Sequence, residues 1–139
     1  MSDSEDFNAR VIEEFRANEG KVGGFFADKD LLLLHTVGAR SGEARIHPLV
    51  CMEEDGKLYI IASAAGSSKH PAWFHNLVAN SIVDIEIGTE RFQANAVIAG
   101  EPERSSLYAK AAVTYRFFKE YEEKTAGIRT IPVILLNRL

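Results

Sequence analysis

Residues 38–45 read Gly-Ala-Arg-Ser-Gly-Glu-Ala-Arg. Glycines at the two ends of a five-residue turn, Gly38 to Gly42, let the backbone bend so that successive N–H groups face one concavity. Arg40 and Arg45 can close on it with charge-assisted, often bidentate hydrogen bonds, and Ser41 adds a hydroxyl. The chemistry on offer is anion binding. The same residues also suit a plain hairpin with solvated arginines, which are common on surfaces. A second stretch points the same way. From Gly56 to Val83 there is no Asp or Glu, while Lys57, Lys69, His70 and His75 fall inside. In a chain of net charge −4, such a window suits a local positive patch, with chance plus apolar burial as the alternative.

Other chemistries find little support. There are four histidines, but His70 and His75 are five apart and cannot share a helix face. No HExxH, CxxC or paired carboxylates accompany them, so no metal site is expected. Neither Ser41 nor Ser63 lies in a GxSxG elbow. No carboxylate pair suggests glycoside hydrolysis. Gly20 to Phe26, GKVGGFF, lacks the GxGxxG spacing of a dinucleotide loop and follows no strand. There remain the anion-binding turn, a small-residue loop and a set of aromatics suited to be lids. Those aromatics are Phe25, Phe26, Trp73, Phe74, Tyr115, Phe117, Phe118 and Tyr121. That profile fits a protein whose chemistry is carried by a bound cofactor.

These residues need elements to position them. Asp3 or Ser4 can cap a helix starting near Glu5, with Phe7, Val11 and Phe15 on one face. Packing on the core is the commonest fate of such a face; covering a site or touching a membrane surface are the alternatives. Leu31 to Val37 and Ala44 to about Met52 read as strands of a hairpin around the Gly38–Gly42 turn. Asp55-Gly56 starts another hairpin into Lys57–Ser63. A loop of small residues follows, then a short helix opened by Pro71 at a first-turn position. Ile82–Ile87 and Phe92–Ala99 are strands. Glu101 to about Lys124 is helical in one or two pieces, and Pro132–Leu136 is a last, central strand. Short turns between consecutive strands predict an antiparallel sheet that closes into a barrel. The class is α+β, with about six strands in one domain spanning residues 1–139. Net charge −4 excludes nucleic acid as a partner of the whole surface. The single cysteine, Cys51, forms no disulfide within the chain and reads as a small buried hydrophobe in a reducing compartment. The acidic, polar start is unlike a signal peptide, and no apolar run approaches the roughly 20 residues of a membrane span. The expected location is the cytoplasm.

The series LLLLHTVGARSGEARIHPLV, DGKLYIIASAAGSSKHPAWFHNLVANSIVDIEIG and KTAGIRTIPVILL resembles the deazaflavin-dependent nitroreductase family of actinobacteria, whose enzymes use reduced coenzyme F420. The likeness runs from about Phe7 to Leu136 and rests on TxGxxSGxxRxxPL followed by HPAWxHNLxANxxV.

This resemblance implies a split β-barrel related to pyridoxamine-phosphate-oxidase-like proteins. It places the coenzyme's phosphate and tail against Ala39, Arg40, Ser41, Arg45, Ile46, His47 and Pro48. Ile61, Ala62, Ser63 and Ala64 then run along the deazaflavin. Ala72, Trp73, Phe74, His75 and Asn76 complete the pocket, and Lys69 contacts the tail. Implied catalytic groups are Ser63 at the ring, with Tyr115 and Tyr121 lining the acceptor pocket and supplying a proton. For both tyrosines, plain helix packing is the alternative. The implied reaction is hydride transfer to a planar, electron-poor acceptor: a quinone, an enone or a nitro compound. Phe118 stands where related sequences often carry a further tyrosine, so nitroimidazole reduction is not assumed. FMN in place of F420, or a non-catalytic binder, are the competing readings. A homodimer and peripheral contact with a membrane through the N-terminal helix are further expectations.

Overall fold

The computed structural model describes residues 3–139, with side chains from residue 6 onward. The expected caps at Asp3 and Ser4 lie outside the described side chains. Helix α1 spans Asp3–Ala17. Strands β1 (Leu31–Val37) and β2 (Ala44–Val50) form the first hairpin, and β3 (Met52–Glu54) and β4 (Lys57–Ile61) the second. Helix α2 (Ala72–Ala79) precedes β5 (Ile82–Ile87) and β6 (Glu90–Ile98). Helices α3 (Glu103–Thr114) and α4 (Phe117–Thr125) lead into β7 (Val133–Arg138).

The strands form one antiparallel sheet ordered β2-β1-β5-β6-β7-β4-β3. Among the described residues there are seven strands rather than about six, because the long second strand breaks at Cys51. Its two halves pair at opposite ends of the sheet: β2 with β1, β3 with β4. One residue separates them in sequence, so the sheet must curl until its edges meet. This is the split of the barrel. The Cys51 amide bonds the Asp30 carbonyl at 2.9 Å and fixes the crossing. Burial, with Asp30 nearby, pushes the Cys51 thiol up to about 12, so at neutral pH it packs as a hydrophobe.

Both faces of the central strands are covered, which explains the unalternating leucine run. Leu32 and Leu34 point into the barrel with Ile60, Ile85 and Ile134. Leu31 and Leu33 point outward against Val11 and Phe15 of α1. All four are at most 4% exposed, each contributing about 1.5–3 kcal/mol on burial. On the other flank, α3 and α4 cover Tyr59, Val133 and Leu135 through Leu107, Ala111 and Phe118. Tyr59 Oη donates to the Leu107 carbonyl and Tyr108 Oη to the Phe118 carbonyl, tying sheet to helix and helix to helix.

The last turn of α1 is locked to the sheet by charge. Arg16 forks onto Glu86 at 2.8 and 3.1 Å, and His35 Nε2 meets the same carboxylate. The Arg16 bond, with His35 adding to it, holds Glu86 at about 2, below its ordinary 4.5. A carboxylate depressed on folding stabilises above its unfolded pKa, and that gain is lost as pH falls from 4.5 towards 2. Glu86→Gln is therefore expected to cost about 1–2 kcal/mol at pH 7, discounted because Arg16 remains half in water. Urea unfolding at pH 7 and pH 3 checks this: the difference between the two proteins should shrink at the lower pH.

Candidate functional site

The strand registers bring the residues singled out in the sequence to one end of the barrel. β1 runs up to that end, and β5 starts there, since His35 pairs with Asp84. Ile82 pairs with Asn95, Ile98 with Ile134, and Val133 with Ile61, so β6 and β4 finish at the same end. The turn after β1, the loop after β4, helix α2 and residues 129–132 therefore surround one rim.

The turn spans residues 38–43. Gly38 N donates to Glu43 O at 2.8 Å and Gly42 N to Gly38 O at 3.0 Å. A Cβ on Gly38 would collide with the Ser41 hydroxyl where it accepts from Glu43, so a larger residue would displace that hydroxyl. Ser41 Oγ accepts from the Glu43 amide at 3.2 Å, leaving its own proton to donate elsewhere. Among the described residues the Arg40 and Ser41 amides have no acceptor. Arg45 pairs with Glu43 at 2.8 Å on the surface. Two amides, a hydroxyl and two guanidiniums thus face solvent with donors to spare, a set suited to phosphate or carboxylate.

A buried relay holds this turn against α2. Asn76 Oδ1 accepts from the Ala39 amide at 3.0 Å, and its Nδ2 donates to Thr36 Oγ1 at 3.1 Å. Thr36 Oγ1 then meets His47 Nε2 at 3.2 Å. Burial, with Arg45 and His35 nearby, lowers His47 to about 4, so its ring is uncharged at neutral pH and its tautomer sets which of Nε2 and the Thr36 hydroxyl donates. Asn76 and His47 are thus joined by Thr36, which sequence reasoning did not single out. Pro71 sits one position ahead of expectation, as the residue before the helix; its extended backbone already starts the turn.

The loop after β4 is unusual. Ser63 is followed by Ala64 (φ 46°), Ala65 (φ 52°) and Gly66 (φ 79°), three consecutive left-handed residues. For alanine that region costs roughly 1–2 kcal/mol per residue. A Cβ on Gly66 would lie 3.3 Å from Tyr121 Cδ1 and 3.0 Å from Lys124 Cδ, so α4 presses directly on this turn. Arg129, unremarked in the sequence beyond its place in a resembling stretch, donates to the carbonyls of Ala62 (3.2 Å), Ser63 (2.8 Å) and Ser67 (2.9 Å). It also donates to His70 Nδ1 at 3.0 Å. Burial, Arg129 and His75 all lower the pKa of His70, keeping it the neutral acceptor. His70, Phe74 and His75 cluster with ring centroids 4.7–6.0 Å apart.

Some residues fall elsewhere. Trp73 belongs to the barrel core and Phe118 to the core beneath α3 and α4, so neither is a lid. Lys57 begins β4 at the opposite end and pairs with Glu103 at 2.6 Å, outside the positive patch. The break between α3 and α4 separates the two tyrosines. Tyr115 Oη accepts from the Asp30 amide at 3.2 Å, at the far end of β1. Tyr121 packs against Gly66, and among the described residues its hydroxyl has no hydrogen-bond partner. Burial raises its pKa, so it keeps its proton. Ile61 and Ala62 are buried, Ser63, Ala64, Ile46 and Pro48 half-buried, and Lys69, Ala72 and His75 exposed. Among the described residues no group of three acidic, histidine or cysteine side chains is arranged to hold a metal.

A cleft of about 790 Å³ opens at the opposite end of the barrel. Glu19, Asp28, Asp30 and Glu53 line it against only Lys21 and Lys29. That balance repels an anion, so size does not mark the anion site here.

Comparison with known proteins places this geometry. The sequence model of the F420H(2)-dependent quinone reductases matches residues 9–138. The chain belongs to this family. An F420H(2)-dependent quinone reductase of Mycobacterium tuberculosis (strain H37Rv) is 31% identical over 128 residues, covering 89% of this chain and 85% of the relative. A solved F420-H2 dependent reductase of the FDR-A type is 35% identical with TM-score 0.69, covering 78% of this chain and 94% of its own. A structure described as a domain-swapped dimer is 30% identical with TM-score 0.71, covering 98% and 100%. A Listeria innocua protein assigned as a pyridoxamine 5′-phosphate oxidase is 12% identical with TM-score 0.54 over 98% and 94% of the two chains, a likeness of fold alone. The family member described here thus has a split barrel, α+β architecture. Among the described residues no helix is long and apolar enough to cross a membrane.

Proposed function

We propose that this F420H2-dependent family member binds its coenzyme across the rim formed by the 38–43 turn, the loop after β4 and α2, and reduces a quinone-type acceptor there. The observation that carries the reading is the turn's surplus of anion donors at the same rim as the strained Ala64–Gly66 loop. The donor set fits the group. Arg40, Ser41, Arg45 and the free amides suit a phosphate, and Lys69 a carboxylate tail. His47 lies beside them on the Arg45 side of β2, whereas Ile46 and Pro48 alternate to the side on which α1 packs, and Ala39 is fixed by Asn76. Ser63 and Ala64, half-buried, offer a small-residue edge for a planar ring, backed by the buried Ile61 and Ala62, with Phe74 and His75 clustered on His70 and Ala72 exposed at the start of α2. Trp73 supports that wall from the core.

When bound, the reduced deazaflavin supplies a hydride. The chain's own residues bind, orient and exclude water. Reducing a quinone to a hydroquinone also takes up a proton, and Tyr121, packed against Gly66, carries one on its hydroxyl. Tyr115, its hydroxyl engaged with Asp30, takes the lesser role of packing against Phe117. The whole chain, residues 1–139, acts as one coenzyme-binding domain on this reading. It works in the cytoplasm, as a homodimer on the precedent of the domain-swapped relative. Phe7 and Arg10 on the exposed side of α1 would face a membrane surface.

Steady oxidation of reduced F420 by menadione, absent without protein, is the expected result. Reduced coenzyme that stays intact with quinones, enones and nitro compounds alike would leave a binder without activity. Arg45→Ala is expected to weaken binding of oxidised F420 by about 1.5 kcal/mol, the low end for a charged hydrogen bond, because Arg45 must leave Glu43 to make it. An unchanged dissociation constant in a fluorescence titration would remove Arg45 from the site.

A further inference from the structure

We infer that Arg129 is a positioning residue that clamps the left-handed turn Ala64–Gly66 in the shape that receives the coenzyme. This rests on the coenzyme reading above for its purpose, though not for its geometry. The turn does not hold itself. No side chain caps it, and its internal bonds are two, Gly66 N to Ser63 O at 2.9 Å and Ser67 N to Ala64 O at 3.0 Å. Two alanines in the left-handed region favour leaving it. Arg129 binds carbonyls on both sides of the strained pair, Ala62 and Ser63 before it and Ser67 after it. Its fourth bond, to His70 Nδ1, ties the clamp to the residue before Pro71 and so to the start of α2. A guanidinium is suited to this, because its rigid fork reaches several carbonyls at fixed angles and a lysine ammonium does not.

The charge is also telling. All four acceptors are neutral, and no carboxylate lies within ion-pair distance of Arg129 among the described residues. A structural arginine at a surface usually finds an acid; this one leaves its charge uncompensated beside a loop proposed to meet an anionic ligand. Holding the turn and adding positive potential at the rim are then two consequences of one side chain.

The test compares wild type, Arg129→Ala, Arg129→Lys and the double variant Arg129→Ala/Ala65→Gly. Two quantities are read: amide hydrogen exchange in the coenzyme-free protein, and the dissociation constant for oxidised F420 by fluorescence. With Arg129→Ala, the Gly66 and Ser67 amides should exchange at least about tenfold faster while Ile60 and Ile134 in the β4–β7 ladder hold, and F420 binding should weaken about tenfold. Arg129→Lys should recover little of either. Ala65→Gly should restore most of the affinity in the Arg129→Ala background, because glycine adopts that backbone without strain. A merely structural role would lower overall stability without this rescue. Unchanged exchange at Gly66 and Ser67, wild-type affinity with lysine, or no rescue by glycine would each overturn the clamp. If Arg129→Ala does not fold, Arg129→Lys with and without Ala65→Gly decides the same question. Failure of wild type to bind F420 would sink the coenzyme reading alone, since the exchange contrast tests the clamp without it.

Discussion

Asn76→Ala is expected to lower stability by about 2–4 kcal/mol and to weaken coenzyme binding together with it. The magnitude follows from what the change leaves behind. Asn76 is 8% exposed and serves two partners, the Ala39 amide and the Thr36 hydroxyl. Truncation strands a backbone donor and takes the Asn76 donor from the Thr36 oxygen, each worth about 1–3 kcal/mol when no water can replace the partner. The loss is not confined to stability. The Ala39 amide belongs to the 38–43 turn proposed to bind the coenzyme's anionic groups, so freeing it lets the turn drift from α2. Urea unfolding and F420 titration of the same variant check both halves. A stable variant with wild-type affinity would mean that the turn is held by its own backbone bonds.

Tyr121→Phe is expected to cut turnover about 10²-fold while leaving the F420 dissociation constant nearly unchanged. Phenylalanine keeps the packing against Gly66 and the ring contacts to Phe117 and Phe118, at 5.6 and 6.3 Å between centroids. It removes only a hydroxyl that bonds no described residue and that burial keeps protonated. Tyr115→Phe serves as the contrast, because its hydroxyl is engaged with Asp30 at the far end of β1. Single-turnover oxidation of reduced F420 by menadione separates the two. Equal effects would place both hydroxyls on the acceptor; a large change in affinity with Tyr121→Phe would make it a binding residue.

Much of this arrangement was legible in the sequence because local patterns decide it. Leu31–Val37 and Ile82–Ile87 match their strands at both ends, since apolar runs bounded by turn residues leave few choices. The 38–43 turn was legible because its glycines announce a bend, and the anion chemistry proposed for it rests on the types of Arg40, Ser41 and Arg45. Other features depend on partners distant in the chain. The break at Cys51 has no glycine or proline to announce it; it exists because β3 finds β4 on the far side of the sheet. Trp73 and Phe118 look like lids by type, and only the closed barrel and the α3–α4 pair put them inside. Arg129 was opaque for the same reason: its acceptors are backbone carbonyls more than sixty residues away, and carbonyls have no sequence signature. Tyr115 and Tyr121 share helical spacing with their neighbours, and it takes the break after Thr114 to engage the Tyr115 hydroxyl with Asp30 while Tyr121 packs on Gly66.

The measurement that tests the central claim most directly is a fluorescence titration of the wild-type protein with oxidised F420 and, separately, with FMN. A coenzyme site built from the 38–43 turn and the Ala64–Gly66 loop predicts micromolar or tighter binding of F420, weakened by salt and by Arg45→Ala, with FMN binding much more weakly. Preference for FMN, or binding of neither, would contradict it.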